Sequence, residues 1–277
     1  MSIEAITNLP PLRDVIDAND LRATKALGQN FLLDLNLTRK IARVANIENT
    51  DHVIEIGPGP GGLTRGILLE GAPSLTAIEF DPRAVNALQS LNDAAGGALE
   101  IIHDDALKMD MMVHGADGTR KIIANLPYNI ATPLLIGWLK QIHGRGADAF
   151  QSITVMVQKE VADRICAPFG AKQYGRLTVL CQWLCHCHAA FDVPRTAFVP
   201  PPKVTSTIIH LTPKTRNDNV DFETIEKLTA AAFGQRRKTI RQSLKPFTDA
   251  LEQSGLDTKL RAENLSVADF IKLANCL

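Results

Sequence analysis

Ile122-Ile123-Ala124-Asn125-Leu126-Pro127-Tyr128-Asn129-Ile130 is the stretch that decides how this chain is read. An apolar run stops at a polar side chain, a proline and an aromatic. This is the pattern of a buried strand delivering Asn125-Leu126-Pro127-Tyr128 to the carboxyl edge of a sheet. Open α/β sheets keep their ligands at that edge. The tetrapeptide suits methylation of an amino group conjugated to a ring or carbonyl. Such a nitrogen is a weak nucleophile because its lone pair is delocalised, so it must rehybridise as it attacks. Acceptors for its N–H bonds favour that change: the Asn125 side-chain oxygen and a main-chain carbonyl at Leu126 or Pro127. Pro127 fixes φ and stiffens the turn, while Tyr128 offers a flat face on which a base can stack. Asn and Pro are also ordinary turn residues, so taken alone the stretch reads equally well as a strand ending in a turn.

Upstream, Asp51-His52-Val53-Ile54-Glu55-Ile56 predicts a β-branched strand, followed by Gly57-Pro58-Gly59-Pro60-Gly61-Gly62 and a helix to about Glu70. Glycines there let backbone approach a ligand, and the helix start presents free N–H groups. Nicotinamide enzymes, flavoenzymes and methyltransferases all use such turns. Pro58 and Pro60 remove N–H groups that a pyrophosphate would want, which favours a ligand without phosphates. A second strand, Leu75 to Phe80, carries Glu79 where an acid receives ribose hydroxyls, and Asp81 before Pro82 reads as a helix N-cap. A third, Leu99 to His103, is followed by Asp104-Asp105. An acid there suits an adenine amino group or is an ordinary loop acid.

The 277 residues allow one large domain or two smaller ones, and 45% hydrophobic with 22% charged residues describe an ordinary globular chain. No apolar run reaches membrane-spanning length, and Met1 to Asp20 lacks the pattern of a signal peptide, so a cytoplasmic location is expected. Five cysteines fit a reducing compartment. Cys185 and Cys187 should face one side of a strand and His186 and His188 the other, so they cannot converge on a metal, and none is expected. Formal net charge is zero, but its distribution is uneven. Thr76 to Asp117 holds eight acids against Arg83 and Lys108, whereas Gln235 to Lys245 holds five bases and no acid. Segregation of this kind gives a neutral chain an electropositive surface.

Residues 1–21 read as a short extension, and the segment from Leu21 to Leu32 as a lid over the first strand's ligand or a plain surface cap. Residues 22–213 carry the alternating strands and helices. Phe198, ahead of Pro200-Pro201-Pro202, is either a second stacking face opposite Tyr128 or a core residue. Residues 214–277 show helical spacing throughout and predict a small all-helical domain. Its Arg236-Arg237-Lys238 and Arg241 are a solvated helix face or a phosphate-gripping patch, the absence of acids favouring the patch.

The ordered motifs Leu27-Gly28-Gln29-Asn30-Phe31-Leu32, Glu55-Ile56-Gly57-Pro58-Gly59, Ile78-Glu79-Phe80-Asp81, Asn125-Leu126-Pro127-Tyr128, Gln158-Lys159-Glu160, Tyr174-Gly175-Arg176-Leu177, Phe198 to Val204 and Gln235 to Thr239 resemble the ribosomal RNA adenine dimethyltransferases, most closely the bacterial small-subunit branch. The resemblance implies a class I S-adenosylmethionine-dependent methyltransferase fold, Rossmann-like with a mostly parallel sheet, and a helical RNA-binding appendage. It implies N6-dimethylation of two adjacent adenosines near the 3′ end of 16S rRNA, in the immature small ribosomal subunit, by a monomer. By position it puts Asn30 and Leu32 at the lid, Gly57 at the methionine end, Glu79 on the ribose, Asp105 at the cofactor adenine and Asn125 between cofactor and target. Leu126, Pro127, Tyr128 and Phe198 would surround the target base, and Arg236, Arg237, Lys238 and Arg241 would hold RNA. The alternative is an assembly factor whose main task is to bind pre-ribosomal RNA. DNA adenine or protein-glutamine methylation, which uses related turns, and a nicotinamide dehydrogenase are more distant.

Overall fold

The computed structural model describes residues 3–21, 30–115 and 118–277. Most of the lid segment, 22–29, lies outside them. The strands are β1 (Phe31–Leu32), β2 (Asp51–Ile56), β3 (Ser74–Glu79), β4 (Leu99–His103), β5 (Thr119–Asn125), β6 (Ser152–Gln158), β7 (Cys185–Val193), β8 (Phe198–Val199) and β9 (Ser206–Pro213). The helices up to the end of the sheet are α1 (Ile3–Thr7), α2 (Leu12–Ala18), α3 (Leu35–Val44), α4 (Gly62–Leu69), α5 (Pro82–Ala87), α6 (Gln89–Ala95), α7 (Ala131–Arg145), α8 (Lys159–Ile165) and α9 (Arg176–Leu184). Beyond it come α10 (Phe222–Gly234), α11 (Ile240–Ser243), α12 (Thr248–Ser254) and α13 (Val267–Ala274).

Seven strands form one sheet in the order β4-β3-β2-β5-β6-β9-β7. The first five are parallel, and β9 joins them antiparallel to both β6 and β7. Parallel strands are covered on both faces, which is why Val53-Ile54 and Ile122-Ile123-Ala124 are apolar without alternation. The chain winds outward through β3 and β4 on one side of β2 and through β5 and β6 on the other. The order therefore reverses between β2 and β5, and the carboxyl ends at such a reversal open the crevice where ligands bind.

Asp81 caps α5 by accepting from the Arg83 N–H, with Pro82 at the first helical position, as the sequence predicts. In β7, Cys185 is buried and His186 and His188 are exposed, the alternation expected of a strand. Two features differ from the sequence reading. The N-terminal extension is folded: Ile6 is fully buried in the cluster beside α3 and α4, and Leu21 packs on Ala84 and Ala87 of α5. A run of scattered apolar residues among acids and prolines gives little periodicity, so this packing is legible only against its partner surface. The helical region, for its part, has no core of its own. Phe222, Ile225, Leu228 and Phe270 belong to one cluster with Trp138, Leu180 and Trp183. Arg176 of α9 reaches Glu226 of α10 at 2.8 Å, and the Arg216 guanidinium lies 4.4 Å from the centre of the Trp183 ring.

Candidate active site

At the reversal point lies a cavity of about 300 Å³. Four strand ends build it: the glycine turn after β2, Glu79 closing β3, Asp104-Asp105 after β4, and Asn125 closing β5 with Leu126-Pro127-Tyr128 beyond it. The two turns touch. A Cβ on Gly57 would stand 3.6 Å from the Pro127 ring, so the two turns form one continuous wall of the cavity.

β1 roofs the glycine turn. It pairs antiparallel with β8, Phe31 opposite Val199 and Leu32 opposite Phe198, and so zips the end of the lid segment to the proline-rich loop. A Cβ on Gly59, whose φ is +55°, would meet the Phe31 ring at 3.1 Å, and one on Gly62 would lie 2.4 Å from the Leu32 carbonyl oxygen. Glycine is required at both positions because another part of the chain occupies the space.

Glu79 does more than its position in sequence suggests. It is 7% exposed, and its carboxylate accepts from the N–H groups of Phe80 and Asp81 at 2.8 Å and of Gly59 at 3.0 Å. It thereby ties β3 to the glycine turn. Burial raises its pKa while the three backbone donors hold it down. A carboxylate has about four acceptor positions, so one stays open for a ligand hydroxyl. Asp104 and Asp105 both line the cavity. Asp105 turns one oxygen onto the Leu107 N–H and the other toward Lys108 at 3.3 Å, whereas Asp104 accepts from the Asp105 N–H.

Glu55 is the residue that sequence reasoning overlooked. It sits mid-strand in β2, lines the cavity, is 1% exposed, and its Oε2 has no hydrogen-bond partner. Burial pushes its carboxyl up to about 8, and the nearby Glu79 adds to the rise. The available signal was a lone acid inside Val53-Ile54-Glu55-Ile56, a buried charge with no basic residue nearby in sequence. Among the described residues the cavity lining holds Glu55, Glu79, Asp81, Asp104 and Asp105 and no lysine or arginine. A site charged in this way suits a cationic ligand and disfavours a dinucleotide with its phosphates.

Asn125 donates through Nδ2 to the Asn30 carbonyl at 3.2 Å, which leaves its Oδ1 to accept. The Pro127 carbonyl accepts from the N–H groups of Ile130 and Ala131 at 3.1 Å and starts α7. Of the two main-chain acceptors considered, Leu126 is therefore the one not spent on the turn. Tyr128 is half-buried on the cavity wall, and its hydroxyl lies 2.8 Å from Ser206 Oγ.

Asn30, Leu32, Gly57, Glu79, Asp105, Asn125, Leu126, Pro127 and Tyr128 thus meet in one cavity. Phe198 does not join them. It is 2% exposed and packs with Leu32, Met156, Val193 and Ile208, so it is a core residue here and not a second face opposite Tyr128. Its partner in β1 fixes it inward, and strand pairing of that kind cannot be read from a proline-rich stretch. Arg236 also departs from expectation. Its guanidinium pairs with Glu263 at 3.4 Å and donates to the carbonyls of Lys172 and Tyr174, so it ties the helical region to the loop before α9. Arg237, Lys238 and Arg241 remain exposed.

Comparison with known proteins settles the family. Residues 20–277 match the model for ribosomal RNA adenine dimethylase. The chain belongs to the ribosomal RNA adenine dimethylase family. It is 54% identical over 275 residues, 99% of each chain, to ribosomal RNA small subunit methyltransferase A of Rhizobium meliloti, and 52% identical over the same span to its namesake in Rhizobium etli. Among solved structures it is similar to a dimethyladenosine transferase from Plasmodium falciparum, with a TM-score of 0.74 and 29% identity over 88% of this chain and 95% of that one. The 23S rRNA methyltransferase ErmE, at 24% identity and a TM-score of 0.67 over 90% and 99% of the two chains, shares the class I methyltransferase fold. The family is enzymatic, and its reaction is methyl transfer to adenine in ribosomal RNA.

Proposed function

We propose that this enzyme uses S-adenosylmethionine to dimethylate N6 of two adjacent adenosines near the 3′ end of 16S rRNA, acting on the immature small ribosomal subunit. The observation that carries the reading is the contact between the two turns. An acid-lined cofactor cavity and the Asn125-Leu126-Pro127-Tyr128 acceptor set share the wall formed by Gly57 and Pro127.

The lining fits this cofactor on its own chemistry. S-adenosylmethionine carries an ammonium and a sulfonium against one carboxylate, and the unpartnered Glu55 oxygen is a free acceptor whose carboxyl would give up its proton more readily beside a bound cation. Glu79 keeps one acceptor position for a ribose hydroxyl. Phe80 and Leu107, 60% and 47% exposed, flank Asp104 and Asp105 and give a flat ring something apolar to cover. Bound there, the cofactor supplies an electrophilic methyl carbon.

The chain supplies the rest. A target adenine leaves its stack and lies on Tyr128. Asn125 Oδ1 and the Leu126 carbonyl accept its two amino hydrogens, which pulls the lone pair out of conjugation and stabilises the positive charge that develops on nitrogen. No general base is needed for attack, since the proton leaves afterwards from a cationic amine. Nothing in this acceptor set requires the second hydrogen once the first methyl is on, because either acceptor can hold the one that remains. Arg237, Lys238 and Arg241 hold the RNA backbone outside the cavity. The same exposed bases favour a second, compatible reading, in which gripping pre-ribosomal RNA contributes to assembly independently of transfer.

The test is transfer of labelled methyl groups to small subunits from cells lacking the enzyme, followed by mass analysis of the 16S 3′ end. Two adjacent dimethyladenosines are the expected product. Label appearing only in DNA or protein would reject the reading.

A further inference from the structure

Among the described residues Tyr128 is the aromatic lining the cavity in the turn after β5, Phe31 and Phe80 standing at the glycine turn and after β3 and Phe198 in the core. A phenylalanine would stack equally well on area grounds, so the hydroxyl needs a reason. Its partner is Ser206, the first residue of β9, which is fully buried. Ser206 pairs with Gln158 of β6 on one side and with Val193 of β7 on the other, so its backbone is fixed from both flanks in the antiparallel half of the sheet. Its Oγ stands 2.8 Å from the Tyr128 hydroxyl, joining that half to the turn on which the chemistry depends.

We propose that Ser206 is a positioning residue for methyl transfer: by holding the Tyr128 hydroxyl it fixes the plane of the ring on which the target base lies. The inference rests on the reading of Tyr128 as that stacking face. The ring is then held at two points, its backbone in the proline turn and its hydroxyl on β9. A ring held only at the backbone rotates about χ1 and χ2, and the base it carries moves with it. Transfer demands a near in-line approach of nitrogen to the methyl carbon, and small displacements from that geometry cost rate steeply. The hydroxyl pair does not reach the cofactor side, so it should govern turnover and leave cofactor affinity alone. Burial raises the Tyr128 pKa, so the phenol keeps its proton at neutral pH and the pair keeps a hydrogen to share.

The experiment compares Ser206→Ala, Tyr128→Phe and the double variant with the parent enzyme on undermethylated small subunits. Each single variant should lose roughly tenfold in kcat, the scale of one missing hydrogen bond expressed at the transition state. The double variant should lose no more than either single one, since the same hydrogen bond is absent from all three. Cofactor Kd, read by calorimetry, should be unchanged throughout. The chain has two tyrosines, Tyr128 and Tyr174, so ¹³Cζ-tyrosine spectra isolate the hydroxyl directly. The Tyr128 signal should shift in Ser206→Ala and the Tyr174 signal should not. Parental kcat in either single variant, or losses that multiply in the double one, would overturn the proposal. If Ser206→Ala fails to fold, Tyr128→Phe removes the same hydrogen bond from the other side and decides alone. A parent enzyme that transfers no methyl to small subunits would instead reject the broader functional reading.

Discussion

The cofactor cavity and the turn after α10 carry opposite charge on a chain whose formal net charge is zero. Among the described residues the only lysine, arginine or acidic side chains lining the cavity are acids, and the turn exposes Arg237 and Lys238 with Arg241 close behind in α11. What differs is how each region manages its charge. In the cavity, charge is buried and pinned: Glu79 is spent largely on holding the glycine turn, and Glu55 is kept neutral by its surroundings. On the turn, charge is exposed to solvent, and Arg236, whose guanidinium is held by Glu263 and two carbonyls, is structural. Under the proposed function, a small cation would meet a preorganised site and a polyanion a field. Net charge would have predicted neither partner.

The comparison breaks hardest at the shared wall. Asn125→Ala should cut transfer by about 100-fold or more, the scale seen when one preorganised acceptor or donor is removed, with cofactor Kd within a few-fold of the parent. Isothermal titration beside a single-turnover assay separates the two; equal losses in both would make Asn125 a cofactor residue only. Next comes Gly62→Ala. Its Cβ must displace the Leu32 carbonyl, so β1 should lift from the glycine turn, and a strain of ~1–3 kcal/mol translates into roughly a five- to 150-fold weaker cofactor Kd.

The basic side should respond in a different currency. Replacing Arg237, Lys238 and Arg241 together by alanine should weaken RNA binding and flatten its salt dependence by about one unit of slope for each phosphate left without a basic partner, with cofactor Kd untouched. Arg236→Ala belongs with the fold instead: its melting temperature should fall, while the salt slope should change less than in any of the other three. A salt slope that drops for Arg236 alone would invert the assignment.

The smallest expected effect is the pH dependence of Glu55→Gln. A carboxyl whose folded pKa lies near 8 against an ordinary 4.5 binds its proton more tightly when folded. Its stabilising contribution is complete below about pH 4.5 and is lost as pH rises through 8. In the absence of cofactor, Glu55→Gln should therefore match the parent near pH 4.5 and melt several degrees higher above pH 8, as followed by scanning calorimetry. A gap that widens toward acid would show that Glu55 is charged in the free enzyme.

Much of this was legible in the sequence, and for identifiable reasons. β2 has the ends its apolar run predicts, because a buried parallel strand leaves a plain signal at both boundaries, and β4, half-exposed at the sheet edge, still ends where its apolar residues stop. Asn125, Glu79 and Gly57 could be placed together because each ends or directly follows a strand, and strand ends converge at a reversal point. Partners were harder to read. Nothing in the sequence near Phe198 announces its pairing with Leu32, nothing near Arg236 announces Glu263, and Glu55 among the apolar residues of β2 was given no role. The N-terminal helices were missed for the same reason: Leu12 and Ile6 are core residues only because α4 and the helices after β3 offer them a surface. Local pattern reports what a residue is, and burial against a distant segment reports what it does.

The unbroken apolar cluster running from Trp138 and Trp183 into Phe222 and Phe270 has a consequence for selectivity. With one interior common to both parts, the exposed arginines and the Asn125 pocket are set at a constant span, like the jaws of a caliper. Under the proposed function, an RNA would then be accepted by measurement as much as by sequence: only a fold that presents an adenosine at that span from a backbone it can rest on the basic turn would close the gauge. Loosening the interior, at Trp183 for example, should blur which adenosines are modified before it slows the modification of any one of them.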